Sequence, residues 1–182
     1  MKKKVFLGFL AFFVIVVGFM TYSVLTTRSH SPLEEVSGSS NGLDVSVSYC
    51  RPYKKGRLIF GDEADGALVP NGKYWRLGAN DATEITFSKP VTFGGQAVDA
   101  GRYRMYAVPT ADSWKIILNS ELGEFGFFEP NYELDVVSID ARTVPSGDEV
   151  EQLTIQLSSA EATIGLEFSW GNTKVVVPIA LQ

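Results

Sequence analysis

Four cationic side chains lie within one short stretch of a chain that is otherwise acidic: Arg51, Lys54, Lys55 and Arg57. A guanidinium group binds carboxylate, phosphate or sulfate through two parallel hydrogen bonds. This basic segment, together with Arg76, therefore predicts a site for an oxyanion.

A second group of polar residues lies just before a predicted strand and at its start: Arg76, Asn80 and Glu84. Loops gather at the end of a β-sandwich, and binding sites often lie there. We therefore expect the two groups to converge on one ligand. The predicted ligand-binding residues are Arg51, Arg57, Arg76, Asn80 and Glu84.

Each group also has a purely structural explanation. The arginines of the basic segment would pair with carboxylates and tie loops to the sheet, and the candidate partners are Glu84, Asp81 and Asp135. In the second group, Gly78 would supply an unusual backbone angle and Asn80 would bond within its own turn, while Arg76 would bridge to a carboxylate.

Aromatic residues accompany both groups: Tyr49, Tyr53, Tyr74 and Trp75. They either pack in the core or present rings on which a saccharide stacks. The sequence leaves both explanations open.

The scarcity of histidine limits the kinds of enzyme that this chain could be. The sole histidine, His30, precedes the predicted domain, so a catalytic triad or a histidine-rich metal site is not expected within it. An enzyme built on this domain would rely on carboxylates such as Glu84, Asp81 or Asp135. Cys50 is expected to be a small packing residue rather than a nucleophile.

The acidic segment Gly61–Gly66 has the wrong spacing for an EF-hand calcium loop, and we interpret it as a solvated turn. We predict no metal site and no cofactor.

Apolar residues alternate with polar ones in short runs bounded by Gly, Pro, Asn and Asp, which is typical of β-strands. We predict an all-β fold, an antiparallel β-sandwich or a jelly-roll-like barrel of about eight to ten strands. Arg102, Arg104 and Tyr106 fall on the solvent face of one predicted strand. Gly94-Gly95 and Gly171-Asn172 predict tight turns, the second closing a hairpin.

An uncharged apolar run, Val5–Leu25, follows Lys2, Lys3 and Lys4. As a helix, these residues would be roughly 31 Å long, close to the thickness of a bilayer core. We predict a transmembrane signal anchor over residues 1–25, a tether over residues 26–30 and an exported domain over residues 31–182. A cleaved signal peptide is the alternative.

The positive-inside rule keeps the three lysines cytoplasmic and places the domain on the other side of the membrane. Removing them from the 16 basic residues leaves 13 against 21 acidic residues, so the exported part has a formal charge near −8. This balance argues against nucleic acid as a partner.

Three segments have a family resemblance: YCRPYKKGRLIFG at residues 49–61, LVPNGKYWRLGANDAT at residues 68–83 and AGRYRMYAVP at residues 100–109. They resemble a bacterial family known only as domain of unknown function 2911, over about residues 31–181. Trp114 and Asn119 match a further family motif, and Phe125-Gly126 replaces a common Trp-Gly pair. The resemblance implies an exported bacterial protein, and it implies no activity.

Combined with the predicted anchor, the resemblance places the chain in a bacterial inner membrane, with its domain in the periplasm or outside the cell. The residues favour a binding or envelope-assembly module for an anionic ligand, a saccharide or an envelope protein. The alternative is a histidine-independent hydrolase or lyase that uses carboxylate acid and base groups.

Overall fold

A computed structural model describes residues 12–21, 29–123 and 125–182 of the chain. Residues 12–21 form a helix, and the remaining described residues form mainly strands. The elements are β1 (Leu33–Ser40), β2 (Leu43–Cys50), β3 (Phe60–Gly61), a 3-10 helix (Glu63–Asp65), β4 (Val69–Pro70), β5 (Thr83–Phe87), β6 (Val91–Phe93), β7 (Gln96–Val98), β8 (Gly101–Pro109), β9 (Ser113–Asn119), a second 3-10 helix (Tyr132–Leu134), β10 (Asp135–Ser159) and β11 (Thr163–Leu181).

Nine of these strands form one antiparallel sheet in the order β1-β2-β5-β8-β9-β10-β11-β6-β7. Strands β3 and β4 pair separately and in parallel. The all-β antiparallel prediction is confirmed, but the barrel alternative is wrong, because the sheet is not closed into a barrel.

The alternation of the sequence explains why one face of the sheet is buried. In β2, Leu43, Val45 and Val47 are buried, whereas Asp44 between them is exposed. Successive side chains of a strand point to opposite faces, so a period of two commits one face to the core.

The sheet folds over so that its two ends face each other across a single core. Phe87 of β5 meets Phe93 of β6 with ring centroids 6.2 Å apart, although several strands separate β5 from β6 in the sheet. On β1, a Cβ atom at Gly38 would lie 2.9 Å from Leu157 Cβ of β10. Only glycine allows β1 to approach β10 this closely.

The two predicted turns have different outcomes. Gly94 and Gly95 form the turn between β6 and β7, as predicted. The hairpin at Gly171-Asn172 is wrong, because β11 continues through these residues and Gly171 pairs with Val150 of β10. Irregular register in β10 accommodates the positive φ of +59° at Gly171, so the glycine bends the strand without ending it.

The structure describes residues 12–21 of the predicted anchor Val5–Leu25, and these form a helix; the rest of the predicted anchor lies outside the described residues. Within residues 12–21, 29–123 and 125–182, no helix has the length and apolarity needed to cross a bilayer.

Candidate functional site

A cavity of about 610 Å³ opens between the loop that follows β2, the loop that precedes β5 and the aromatic segment Phe125–Phe128. We call it the cationic pocket, because Lys55, Arg57 and Arg76 line it and no Asp or Glu does so among the described residues. The pocket is also strongly aromatic: its walls include Tyr53, Tyr74, Trp75, Phe127 and Trp170.

Packed indole rings support one side of the cationic pocket. Trp75 stacks on Trp170 at 6.0 Å and meets the edge of Trp114 at 5.1 Å. The backbone of Trp75 exchanges two 2.8 Å hydrogen bonds with Ala107 of β8. These contacts fix the segment that leads into Arg76, so this wall is held rigidly by the core.

Arg76 is half-buried beside this wall, and among the described residues it has no carboxylate partner of the kind that the structural alternative predicted. Its Nε atom is buried and has no hydrogen-bond partner among the described residues. None of the ion pairs between described residues involves Arg76. Burial lowers the pKa of Arg76 from its ordinary value because desolvation disfavours the charged form. The pocket therefore contains a partly desolvated cation whose charge the described part of the chain does not neutralise.

The backbone after Arg76 is shaped in a way that the sequence predicted only in part. Gly78 does not have a positive φ, so the predicted unusual angle at this glycine is wrong. Leu77 and Asn80 adopt φ of +54° instead. Gly78 serves a close approach, because a Cβ atom there would lie 2.8 Å from the carbonyl oxygen of Cys50.

Asn80 does not bond within its own turn as the structural alternative predicted. It is buried, and its Nδ2 donates to the carbonyl oxygen of Ser31 at 3.4 Å. Its own carbonyl oxygen accepts a 3.0 Å hydrogen bond from the amide of Gly126. Asn80 therefore joins the start of the domain to the aromatic segment, behind the pocket rather than in its lining.

Gly126 holds the aromatic segment against Arg76. A Cβ atom at this position would lie 2.7 Å from Arg76 Cδ and 2.9 Å from the carbonyl oxygen of Asp81. The hydroxyl of Tyr74 donates to the carbonyl oxygen of Gly126 at 3.0 Å. The glycine of the Phe125-Gly126 pair is thus required by packing, whereas Phe125 is about half exposed.

Arg104 is a buried cation that the strand pattern placed on the solvent face, and that prediction is wrong. The side chain is only 1% exposed. Its Nη2 donates to Tyr74 Oη at 2.7 Å and to the carbonyl oxygen of Phe128, while Nη1 lies 3.9 Å from Glu121. The segment between β9 and β10 covers this face, and no periodic pattern in the sequence signals such a cover.

Arg51 belongs to the structural framework rather than to the lining of the pocket. It forms an ion pair with Glu34, and it donates to the carbonyl oxygen of Leu153 at 3.0 Å and to Thr154 Oγ1 at 2.9 Å. The intramolecular alternative therefore describes Arg51 well, although the carboxylate involved differs from those expected.

Arg57 lines the pocket, and its contacts with described residues are bonds to backbone rather than to a carboxylate. Its Nε donates to the carbonyl oxygen of Lys54 at 2.9 Å, and its Nη2 donates to that of Tyr53. These bonds orient the guanidinium group without neutralising it. Arg57 and Arg76 are therefore the two predicted ligand-binding residues that share the pocket.

Glu84 lies in a separate, polar cleft on the solvent face of the sheet. Its carboxylate pairs with Arg102 and accepts a 3.3 Å hydrogen bond from the amide of Gly123. Asp135 accepts hydrogen bonds at 2.8 Å from Tyr106 and Asn119. The carboxylates considered for acid and base chemistry thus do not meet in the cationic pocket.

His30, which the sequence assigned to the tether, lines the cationic pocket beside Ser31. The pocket therefore includes an imidazole, although the sequence placed His30 before the domain. The hydrogen bond from Asn80 Nδ2 to the carbonyl oxygen of Ser31 holds the start of the domain, and with it His30, against the loop that precedes β5.

Cys50 and the acidic turn contact other side chains of the domain. Cys50 is buried, and its Sγ lies 3.8 Å from Asp81 Oδ2. In the turn, Glu63 pairs with Lys73 and Asp62 accepts from Asn71. Among the residues that the structure describes, no group of three or more His, Cys, Asp or Glu side chains is placed to hold a metal ion.

A comparison with protein families now identifies the chain's relatives. Residues 31–179 match the family model described as protein of unknown function (DUF2911). The chain belongs to this family. The match starts at Ser31, where the sequence places the start of the domain, and the predicted resemblance is confirmed. No curated protein and no solved structure matches the chain. This member of the DUF2911 family must therefore be interpreted from its own residues.

Proposed function

We propose that this DUF2911 protein is a membrane-tethered module that binds an anionic ligand in the cationic pocket. The ligand class is a phosphate or carboxylate group attached to an apolar or saccharide ring. The observation that carries the proposal is Arg76, a half-buried cation whose Nε atom has no partner among the described residues, in a pocket whose described lining contains no Asp or Glu.

The charge distribution supports an anionic ligand. The whole chain has a formal charge of −5, yet the described lining of the pocket contributes three cations and no carboxylate. A concave site of one sign with low-dielectric walls concentrates the opposite charge. An oxyanion at Arg76 would satisfy its free donor and offset the cost of desolvating the guanidinium group.

The aromatic walls support a ligand that carries a ring or an apolar group beside its charge. Tyr53 is 37% exposed and Phe127 is 68% exposed, so their rings are open to contact. Exposed aromatic faces pack against apolar surfaces, including those of sugar rings. The rigid Trp75 and Trp170 behind them would keep the site shaped in the absence of ligand.

The chemistry of the lining favours binding over hydrolysis. Acid and base catalysis by carboxylates requires at least one of them within hydrogen-bond reach of the substrate. No Asp or Glu lines the cationic pocket among the described residues. The enzymatic alternative has no comparable observation in its favour.

The tether is the second part of the proposal. Residues 12–20 are apolar, and Phe12, Phe13 and Ile15 each expose more than 60% of their surface. A bilayer would cover these side chains, and the lysines before them would set the orientation. Mass spectrometry of the native protein tests the tether, because a cleaved signal peptide would remove residues 1–25 and leave a soluble domain.

The pocket is tested by phosphate binding to the full-length protein in a non-ionic detergent. The probe is inorganic phosphate at constant ionic strength, and the readout is the thermal shift followed by tryptophan fluorescence, since a ligand of the native state raises its stability. We expect Arg76→Gln to weaken binding by about tenfold to a hundredfold, because one charge-assisted hydrogen bond contributes about 1.5–3 kcal/mol.

The matched control is Arg142→Gln, which removes one exposed cation outside the pocket. It should leave the phosphate response unchanged. Equal responses of the wild type and Arg76→Gln would refute the pocket as the anion site, and so would the absence of any response in the wild type.

A further inference from the structure

The cationic pocket lies next to the point where the chain would leave the membrane. His30 and Ser31 line it, and only residues 26–30 separate the apolar run from Ser31. Five fully extended residues span at most about 18 Å. With the anchor in place, the pocket therefore lies within reach of the headgroup layer of the same bilayer.

The rim of the pocket has the composition of a membrane-contacting surface. Phe127 and Phe128 are 68% and 61% exposed, and their ring centroids are 5.6 Å apart. Phe127 itself lines the pocket beside the cations. Exposed aromatic rings enter the boundary between headgroups and acyl chains, and nearby Lys and Arg side chains attract anionic lipids.

The rings stay exposed because the aromatic segment is held from beneath. Arg104 donates to the carbonyl oxygen of Phe128, and Tyr74 donates to that of Gly126. Both donors bind backbone, so the phenylalanine side chains are left free to point away from the core. A segment fixed in this way presents its apolar side chains at little cost in conformational entropy.

We propose that the cationic pocket binds the headgroup phosphate of an anionic lipid in the bilayer that anchors the chain. Arg57 and Arg76 contact the phosphate, and Phe127 and Phe128 enter the interfacial layer beside it. This inference rests on the proposed function and names the source of its ligand. The tether length, the cations that have no carboxylate partner among the described residues and the exposed rings together favour a lipid over a soluble phosphate compound.

The experiment reconstitutes the full-length protein in nanodiscs that contain equal amounts of phosphatidylcholine and phosphatidylglycerol. Native mass spectrometry then releases the protein from the nanodisc and counts the lipids of each class that remain bound to it. We expect the wild type to retain phosphatidylglycerol in preference to phosphatidylcholine. In the double variant Arg57→Gln/Arg76→Gln, the ratio of retained phosphatidylglycerol to retained phosphatidylcholine should fall by about tenfold or more, since each cation near an anionic surface contributes to retention.

Two further variants distinguish lipid binding in the pocket from general attraction by surface charge and from binding of inorganic phosphate. Lys115→Gln/Arg142→Gln removes two exposed cations outside the pocket and should keep the preference. Phe127→Ser/Phe128→Ser should keep the response to inorganic phosphate but lose phosphatidylglycerol. The melting temperature of each variant verifies that it folds.

The outcomes distinguish this inference from the proposed function. Phosphate binding that depends on Arg76, without preference for phosphatidylglycerol, would overturn the lipid inference and leave a soluble anion as the ligand. Equal retention of phosphatidylglycerol by the wild type and Arg57→Gln/Arg76→Gln would also overturn it. If the wild type neither responds to inorganic phosphate nor prefers phosphatidylglycerol, the proposed function itself is overturned.

Discussion

Replacing Arg51 by Met should weaken the fold without weakening anion binding. Arg51 joins three strands, because it extends from the end of β2 to Glu34 of β1 and to two residues of β10. Methionine retains much of the aliphatic stem, so the substitution removes mainly the polar contacts. The prediction opposes the sequence-based expectation that Arg51 binds ligand.

The magnitude follows from the contacts that are lost. Three hydrogen bonds at about 0.5–1.5 kcal/mol each give roughly 3 kcal/mol. The side chains of Arg51 and Glu34 are 23% and 36% exposed, and solvent therefore compensates part of the loss. We expect the free energy of unfolding to fall by about 2 kcal/mol, which corresponds to a melting temperature about 4–8 °C lower for a chain of this size.

The assay is thermal unfolding of the full-length protein in a non-ionic detergent. The fluorescence of Trp75, Trp114 and Trp170 reports it well, because all three are buried in the core. The control Arg142→Met changes an exposed arginine and should stay within about 0.5 kcal/mol of the wild type. The phosphate response of Arg51→Met should stay within twofold of the wild type. A normal melting temperature combined with a lost phosphate response would refute this assignment of Arg51.

Two further predictions test the aromatic segment and the polar network behind it. Gly126→Ala should lower the free energy of unfolding by about 1–3 kcal/mol and also weaken phosphate binding, because the added methyl group would displace Arg76. Thermal unfolding measures the loss of stability, and a phosphate titration measures the loss of binding. An unchanged phosphate response would contradict the expected displacement of Arg76. Burial, aided by the hydrogen bond to Asp135, raises the pKa of Tyr106, so the stabilisation linked to this tyrosine is complete below pH 10 and is lost as the pH rises above it. In Tyr106→Phe, the free energy of unfolding should therefore fall less steeply above pH 10, by about 1.4 kcal/mol per pH unit. Denaturant titration at several pH values measures this slope. Equal slopes for the wild type and Tyr106→Phe would contradict the proposed link between Tyr106 and stability.

The strands could be predicted because their signal is local. In β5 (Thr83–Phe87), Ile85 and Phe87 alternate with Glu84 and Thr86, and apolar residues alternate in the same way from Leu43 in β2 and from Trp114 in β9. Alternating side chains on a strand specify a buried face without reference to the rest of the chain. The turn at Gly94-Gly95 is equally local. Gly171-Asn172 has the same composition, but there the partner strand β10 continues alongside, and pairing with β10 overrides the turn signal.

The candidate site was predicted only in part because it depends on contacts between distant segments. Arg57 and Arg76 share the pocket. Arg51, in contrast, forms an ion pair with Glu34, and Glu84 forms one with Arg102. Which carboxylate meets which arginine depends on strand order, and strand order has no local signal in the sequence.

The sequence by itself determined the all-β class, most of the strand positions, the family and the presence of unusual positive charge in an acidic chain. Only the tertiary structure decided which cations have no carboxylate partner among the described residues, that Arg104 is buried and that His30 lies at the pocket. The physical reason is one of range: backbone alternation and turn preference act over a few residues, whereas burial and charge pairing depend on segments that only the folded sheet brings together.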